Sequence, residues 1–285
     1  MFQQRRVPSA YAVTVQRTEQ LSASLTRVVV GGPGLAGFTP SPFADSYVKV
    51  VFVHPDVPRP LPRTDDDRVD MEAVTEGLAA EHTPRMRSYT VRSFDAVALE
   101  LTLDFVVHGD AGLAGPWAAS VQPGDEMLFR GPGGGYAPDP DAAHHLLVGD
   151  SSALPAIAVT LERLPSSAVG RVVVEVHDED DEIPLPAPAG MEVVWVHQDD
   201  ERPGVRLVSA VQALPWVEGD LQAFVHGEAG AVRSLRHYLR TEKGMSLDRL
   251  SISGYWRLGV SDEGWRASKR EWNAAIEAEE AVTVG

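Results

Sequence analysis

The 285-residue chain contains no cysteine. That excludes disulfides, thiolate-held iron–sulfur clusters, cysteine zinc sites and cysteine nucleophiles. Redox chemistry in such a chain needs a bound organic cofactor or a metal site built without cysteine. Lysine is scarce, and Asp plus Glu number 41 against 25 Lys plus Arg, a formal charge of -16. This balance argues against nucleic acid as the main partner, because phosphate backbones need a basic surface. An anionic ligand would need a local basic pocket. No stretch approaches the roughly 18 apolar residues of a membrane helix, so stable membrane insertion is not expected. No apolar segment of the signal-peptide kind follows Met1 to Pro8, and a cytoplasmic protein is expected. Hydrophobic residues make up 44%, enough for a full core, and the length suggests two domains.

The first half reads as short strands bounded by Gly/Pro clusters: Tyr11 to Glu19, Ser24 to Val30, Ser46 to Val53, Met86 to Arg92, Val97 to Val107 and Glu126 to Arg130. Leu99 to Asp104 alternates strictly, the mark of a strand with one wet face. Residues 54–85 interrupt the pattern with five prolines, Asp65-Asp66-Asp67 and one helical stretch at Met71 to Ala80. A loop of that length is functional or disordered. Gly131-Pro132-Gly133-Gly134-Gly135 reads as a linker. Beyond it, apolar runs at His145–Val148, Val172–Val176, Val193–Val196, Ala223–Val225 and Leu250–Ile252 alternate with helical stretches at Pro155–Leu164, Leu207–Leu214 and Ala229–Lys243. That rhythm means a parallel sheet covered on both faces. The expected fold is therefore β + α/β: an antiparallel barrel over residues 1–140, an α/β domain over 141–260 and a helical tail over 261–285. The tail carries Trp265 and Trp272 a heptad apart, extended by Ala275, Ile276 and Ala278, with Ser261 or Asp262 as N-cap. It reads as a staple on the α/β domain or as a gate over a cofactor. The acidic run His177 to Glu182 reads as a solvated loop.

Gly32-Pro33-Gly34-Leu35-Ala36-Gly37 fits the dinucleotide glycine fingerprint in letters only. It runs into Phe38-Thr39-Pro40-Ser41-Pro42, which cannot open a helix, so it reads as a turn. Gly149-Asp150-Ser151-Ser152-Ala153-Leu154-Pro155 does follow a strand and open a helix, with Ser151 or Ser152 as N-cap. Its letters suit a nucleotide site, a loose nucleophile elbow or plain capping. The nine histidines show no metal spacing. His144 and His145 would point to opposite faces of a strand, and His177, His197 and His226 could converge at the carboxyl edge of the parallel sheet. Within Arg87-Ser88-Tyr89-Thr90-Val91-Arg92, alternation puts Arg87, Tyr89 and Val91 on one face and Ser88, Thr90 and Arg92 on the other. An Arg beside an aromatic and a hydroxyl suits a flat anionic cofactor, and an exposed cross-strand ladder equally well.

This last segment resembles the flavin signature of ferredoxin-reductase-type domains. His108-Gly109-Asp110-Ala111-Gly112 with Trp117-Ala118-Ala119 resembles, more specifically, the siderophore-interacting proteins, the FAD-binding ferric-siderophore reductases. The Gly149-Asp150 segment, Gly227 to Arg233 and Gly254-Tyr255-Trp256-Arg257 follow in the family's order. The resemblance implies FAD in the cleft between two domains, with NADH or NADPH as electron donor and a ferric siderophore as substrate. A reduced ferredoxin is an alternative donor. Electrons would pass through the flavin to Fe(III), and Fe(II) would leave its hard oxygen ligands. Rivals on the same fold are a general NAD(P)H:flavin or quinone reductase and a siderophore carrier without turnover.

Site roles follow from the same resemblance. Arg87 would pair with FAD phosphate, Tyr89 would pack on the isoalloxazine and Thr90 would hydrogen-bond its polar edge, with Ser88 and Val91 beside them. Val107 and His108 would lie beside the ribityl and pyrophosphate portion. Gly112, Ala114, Gly115 and Trp117 would wrap the pyrophosphate. Asp150, Ser152 and Ala153 would stand near the adenosine end or the site's mouth. Glu228, Tyr255 and Trp256 would lie on the nicotinamide side, which gives catalytic roles to Tyr89, Thr90 and Glu228. Lys49, Arg92, Arg130 and Arg257 are the candidates for a basic patch that holds the substrate. The chain departs from the family at Gly115, where a small hydroxyl residue is usual, at Ser151-Ser152, which replace Glu-Thr, and at His226, where a small residue is usual. No metal-binding residues of the protein's own are expected.

Overall fold

Val-, Thr- and Tyr-rich segments with a two-residue period build six strands: β1 (Tyr11–Gln20), β2 (Leu25–Gly31), β3 (Tyr47–Phe52), β4 (Arg85–Asp95), β5 (Glu100–Val106) and β6 (Glu126–Gly133). They close into a barrel in the order β1-β2-β5-β4-β3-β6, antiparallel throughout. The structure, a computed structural model, describes residues 9–109 and 112–283. Contacts divide the chain into two compact units, one through Gly135 and one from Tyr136. Inward-facing Val15, Val28, Val30, Val48, Val50, Leu101, Leu103, Phe105 and Phe129 fill the barrel. A short helix, α2 (Ala114–Ser120), packs Ala114 and Ala118 into the same core.

The excursion between β3 and β4 is ordered by a core of its own. Val57, Leu61, Val69, Met71 and Val74 pack on Val51 and Leu128 of the barrel's outer face. Its helix is shorter than the sequence suggests. α1 (Met71–Thr75) is capped by Asp70, and Gly77 then takes a left-handed conformation that ends the helical path before a 3-10 turn at Ala80–His82.

The second unit is a five-stranded parallel sheet of β7 (His144–Asp150), β8 (Val169–Val176), β9 (Gly190–His197), β10 (Leu221–Glu228) and β11 (Leu250–Trp256), in the order β11-β10-β7-β8-β9. Helices α4 (Val205–Ala213) and α5 (Ala229–His237) bury Leu207, Val211 and Leu235 against Leu146, Val148, Val173 and Val225 on one face. On the other, Ile157 of α3 (Leu154–Arg163) closes on Gly149. β8 and β9 lie on one side of β7, and β10 and β11 on the other. The carboxyl edge between β7 and β10 is thus a switch point, the place where open α/β sheets receive ligands.

The last helix, α6 (Asp262–Thr283), starts with Ser261 Oγ accepting from Gly264 N at 3.2 Å. It packs back on its own unit. Trp265 is 2% exposed and lies over Gly254, and Trp272 meets it edge-on at 5.2 Å. Glu279 and Glu280 pair with Arg233 and Arg236 of α5. Of the expected apolar extension, Ile276 is buried, but Ala275 and Ala278 are exposed, because the acids at 279 and 280 complete the contact instead.

Three further expectations change. Leu99–Asp104 does not leave one face wet: Thr102 and Asp104 are buried. Arg27, the cross-strand partner of Asp104, donates to both carboxylate oxygens at 2.7 and 2.9 Å and covers them. The strand begins only at Glu100, because Asp95 Oδ1 accepts from Val97 N and Ala98 N and turns the chain there. Within the acidic run, Asp181 is buried.

Candidate functional site

On β4, alternation inside a closed barrel sends Tyr89 and Val91 inward, opposite Val48 of β3 and Leu103 of β5. Arg87 shares their face at the rung of Val50 and Phe129. The Tyr89 ring rests 4.1 Å from that of Phe105, and the Phe105 ring lies 5.3 Å from that of Trp117. Val107 and Trp117 pack on the same core. The structure therefore gathers Tyr89, Val91, Val107, Ala114 and Trp117 in one core with Phe105, a residue that sequence reasoning passed over. Its signal was its place two residues before Val107, in phase with Leu101 and Leu103. Ser88 and Thr90 take the opposite face, Ser88 exposed and Thr90 7% exposed. The β4–β5 register shifts between Val91 and Ser93, so the strict alternation ends at Arg92.

Between β5 and α2, His108 is exposed, and Gly109 and Gly112 both have positive φ, with no atom within 4 Å of a Cβ built there. Asp110 and Ala111 of this motif lie outside the described residues. No side chain caps α2 at Leu113. At Gly115 a Cβ would meet only ordinary contacts, the nearest to Val106 O at 3.4 Å, so space does not require glycine there.

Of the expected basic patch, Lys49 and Arg130 are cross-strand partners on β3 and β6, with Ser88 on the other flank of Lys49. Burial lowers the pKa of Arg130. Arg92 stands at the register shift of β4. Arg257 belongs to the second unit, exposed just after β11.

The carboxyl edge of the parallel sheet holds three buried acids. Asp150 Oδ2 accepts from Glu228 N at 2.7 Å and from the Trp256 indole at 2.8 Å, while Oδ1 accepts from Ser152 N and Ser152 Oγ. One carboxylate thus ties together the ends of β7, β10 and β11. Gly227 is needed beside it: its φ is 144, and a Cβ there would lie 2.6 Å from Asp150 Oδ2. Burial raises the pKa of Asp150 against the pull of those hydrogen bonds. Glu228 accepts from Ala231 N at 3.0 Å, capping α5, and from Leu258 N at 3.1 Å. Glu175 accepts from Gly204 N and Leu207 N at the start of α4, and burial raises its pKa too. Glu175 also escaped the sequence reading, although an acid inside the apolar run Val172–Val176 was its signal. Neither Ser151 nor Ser152 caps α3. Its N-cap is Ala153, buried and without a side-chain hydrogen bond, because the Ser152 hydroxyl turns back to Asp150.

His226 stacks on Phe224 at 3.8 Å, meets Tyr255 edge-on at 5.0 Å and hydrogen-bonds Ser251 Oγ through Nε2 at 2.9 Å. Burial, with Lys269 nearby, pushes its pKa down to about 3. His177 is exposed and His197 pairs with Glu182, so the three edge histidines have separate surroundings. Among the described residues, His54, Asp56 and His82 form a group with metal-ligand chemistry that no spacing in the sequence revealed.

Residues 14–136 match the model of the siderophore-interacting FAD-binding domain, and residues 142–259 match that of the siderophore-interacting protein. The chain belongs to the siderophore-interacting protein family. A ferric vibriobactin reductase of Vibrio cholerae, ViuB, is 36% identical over 259 residues, covering 89% of this chain and 91% of that protein. An NADPH-dependent ferric-chelate reductase of Escherichia coli is 32% identical, covering 86% and 91%. The siderophore-interacting protein SipS of Aeromonas hydrophila superimposes with a TM-score of 0.76 at 30% identity, covering 93% and 98%. Within the family, the barrel is the FAD-binding domain.

The buried His226 makes a prediction about pH. Its pKa is lower folded than unfolded, so on acidification the unfolded chain takes up the proton first. Stability present above about pH 6.5 is then lost progressively toward pH 3. In urea unfolding, wild-type protein should lose about 2 kcal/mol more between about pH 7.5 and pH 5 than His226→Phe does. Equal losses would contradict the burial of a neutral imidazole.

Proposed function

We propose that this protein is an FAD-dependent ferric-siderophore reductase that draws electrons from NAD(P)H and acts in the cytoplasm. The oxidoreductase class follows from the family and its ferric reductases. Among the described residues, no helix is long and apolar enough to cross a membrane.

The observation that carries the reading is the β4 row, Arg87 and Tyr89 on one face and Thr90 on the other, with Tyr89 braced on Phe105. The residues fit FAD. An aromatic ring already held on one side offers a platform for a flat ring system. Gly109 and Gly112, each with positive φ and open space where a Cβ would stand, allow phosphate oxygens to come close to the backbone there. Bound FAD would accept two electrons from the nicotinamide and deliver them one at a time to Fe(III).

The chain's own residues bind and orient. Arg87 holds a phosphate, and Tyr89 with Val91 sets the plane of the ring system. Thr90, buried on the far face of the strand, supplies a hydroxyl for a polar edge. Val107, His108, Gly112, Ala114, Gly115 and Trp117 shape the pyrophosphate turn. In the second unit, Asp150, with Ser152 and Ala153, fixes the sheet edge on which Glu228, Tyr255 and Trp256 stand, and those three line the donor's approach. Lys49 and Arg130 supply local positive charge for an anionic ferric complex despite the chain's net charge of -16, with Arg92 of the same unit as a further contact.

Two experiments test this. FAD titration followed by flavin absorbance and fluorescence should give a one-to-one complex, which Arg87→Ala weakens by at least about tenfold, the scale of one lost charge-assisted phosphate contact. A protein that cannot take up FAD ends the reading. In turnover assays, Lys49→Glu should raise KM severalfold for an anionic ferric siderophore and leave KM for a neutral one nearly unchanged. Equal effects on both would remove Lys49 from the substrate site.

A further inference from the structure

We propose that His54, Asp56 and His82 form a binding site for a divalent first-row transition-metal ion. The site would clip the two ends of the excursion between β3 and β4. His54 lies two residues beyond the end of β3 and His82 three before the start of β4, and these strands pair up to the rung Phe52–Arg85. The pairing therefore delivers both imidazoles to one end of the ladder, although 27 residues separate them in sequence. Asp56 reaches the same point from the first turn of the excursion.

Each of the three side chains offers one ligand atom, and these atoms all lie within 4.8 Å of one another. His54 Nδ1 and His82 Nε2 are each 3.6 Å from Asp56 Oδ2. That is too long for a direct hydrogen bond, which needs about 2.7–3.2 Å. It is close to the spacing of neighbouring ligands on a tetrahedral ion, about 3.4 Å when bonds are about 2.1 Å. The two rings stack with centroids 4.3 Å apart and planes at 23°, which holds them together at this edge. His54 Nδ1 also accepts from Asp56 N at 3.3 Å, a long contact that an ion would replace.

The donor set decides the class of ion. Two imidazoles and one carboxylate suit borderline ions such as Fe(II), Co(II), Ni(II) or Zn(II), and are too soft for Mg(II) or Ca(II), which favour oxygen. Three protein ligands leave positions for water. The histidines are half-buried and Asp56 is exposed, so an ion can enter from solvent. Binding would close the excursion at its neck and so stabilise the folded loop. The proposal does not rest on the flavin reading, because the ions can be titrated directly.

The test uses the untagged, chelator-treated full chain, titrated with Co(II) by calorimetry and visible absorption. One Co(II) per chain should bind and bring up ligand-field bands, Zn(II) should displace it, and either ion should raise Tm. His54→Ala and His82→Ala should each weaken binding about tenfold or more, and so should Asp56→Asn, a near-isosteric change at an exposed position. His177→Ala, at an exposed histidine in the other unit, should bind as wild type does. Circular dichroism on each variant separates loss of a ligand from loss of the fold. Absence of saturable binding overturns the proposal, and so does wild-type affinity in folded His82→Ala or Asp56→Asn.

Discussion

Closure of the barrel is the constraint on which the proposed flavin site depends. A closed sheet has no free edge, and every residue of β4 must face either the filled interior or the outer surface. Arg87, Tyr89 and Val91 share the inner face, and Ser88 and Thr90 share the outer one. Phe105 fills the core at 0% exposure, and the rings of Tyr89 from β4 and Trp117 from α2 both pack on it. A flat platform and a guanidinium two residues away are thus set by the barrel before any ligand arrives.

The second unit is governed by buried acid. Asp150, Glu175 and Glu228 stand at the carboxyl ends of three neighbouring strands of a parallel sheet, Glu175 one residue before the end of its own, a position where many α/β proteins offer helix N-termini to phosphate. Here Glu175 and Glu228 take up first-turn amides of α4 and α5, while Asp150 Oδ2 ties the ends of β7, β10 and β11 and Oδ1 accepts from Ser152. The edge is pre-bonded by the chain itself. Both oxygens of Glu228 accept backbone hydrogen bonds, which makes it a structural acceptor at this edge rather than a free proton carrier.

The strands, the change from antiparallel to parallel sheet, and the Arg-Tyr-Thr row were legible in the sequence because each rests on local periodicity or on neighbouring letters. What escaped depended on partners distant in the chain. Asp104 reads as solvent-facing until Arg27, 77 residues away, is seen to cover it. Ser152 has the chemistry of an N-cap, but its hydroxyl turns to Asp150, which is itself anchored by Trp256 from 106 residues on. His54, Asp56 and His82 meet only because β3 pairs with β4. Exposed Ala275 and Ala278 show the converse: an apolar stripe on α6 gives way where ion pairs with α5 finish the contact.

The account stands or falls on whether this chain couples a nicotinamide donor to iron through FAD. The direct measurement is anaerobic turnover of the FAD-loaded protein with NADPH and a ferric siderophore, in the presence of a chromogenic Fe(II) trap, beside an equal amount of free FAD. The account predicts two Fe(II) trapped for each NADPH consumed, at a rate well above the free-flavin control and abolished when FAD is removed. Iron release no faster than with free FAD, or NADPH oxidation without trapped Fe(II), would contradict it.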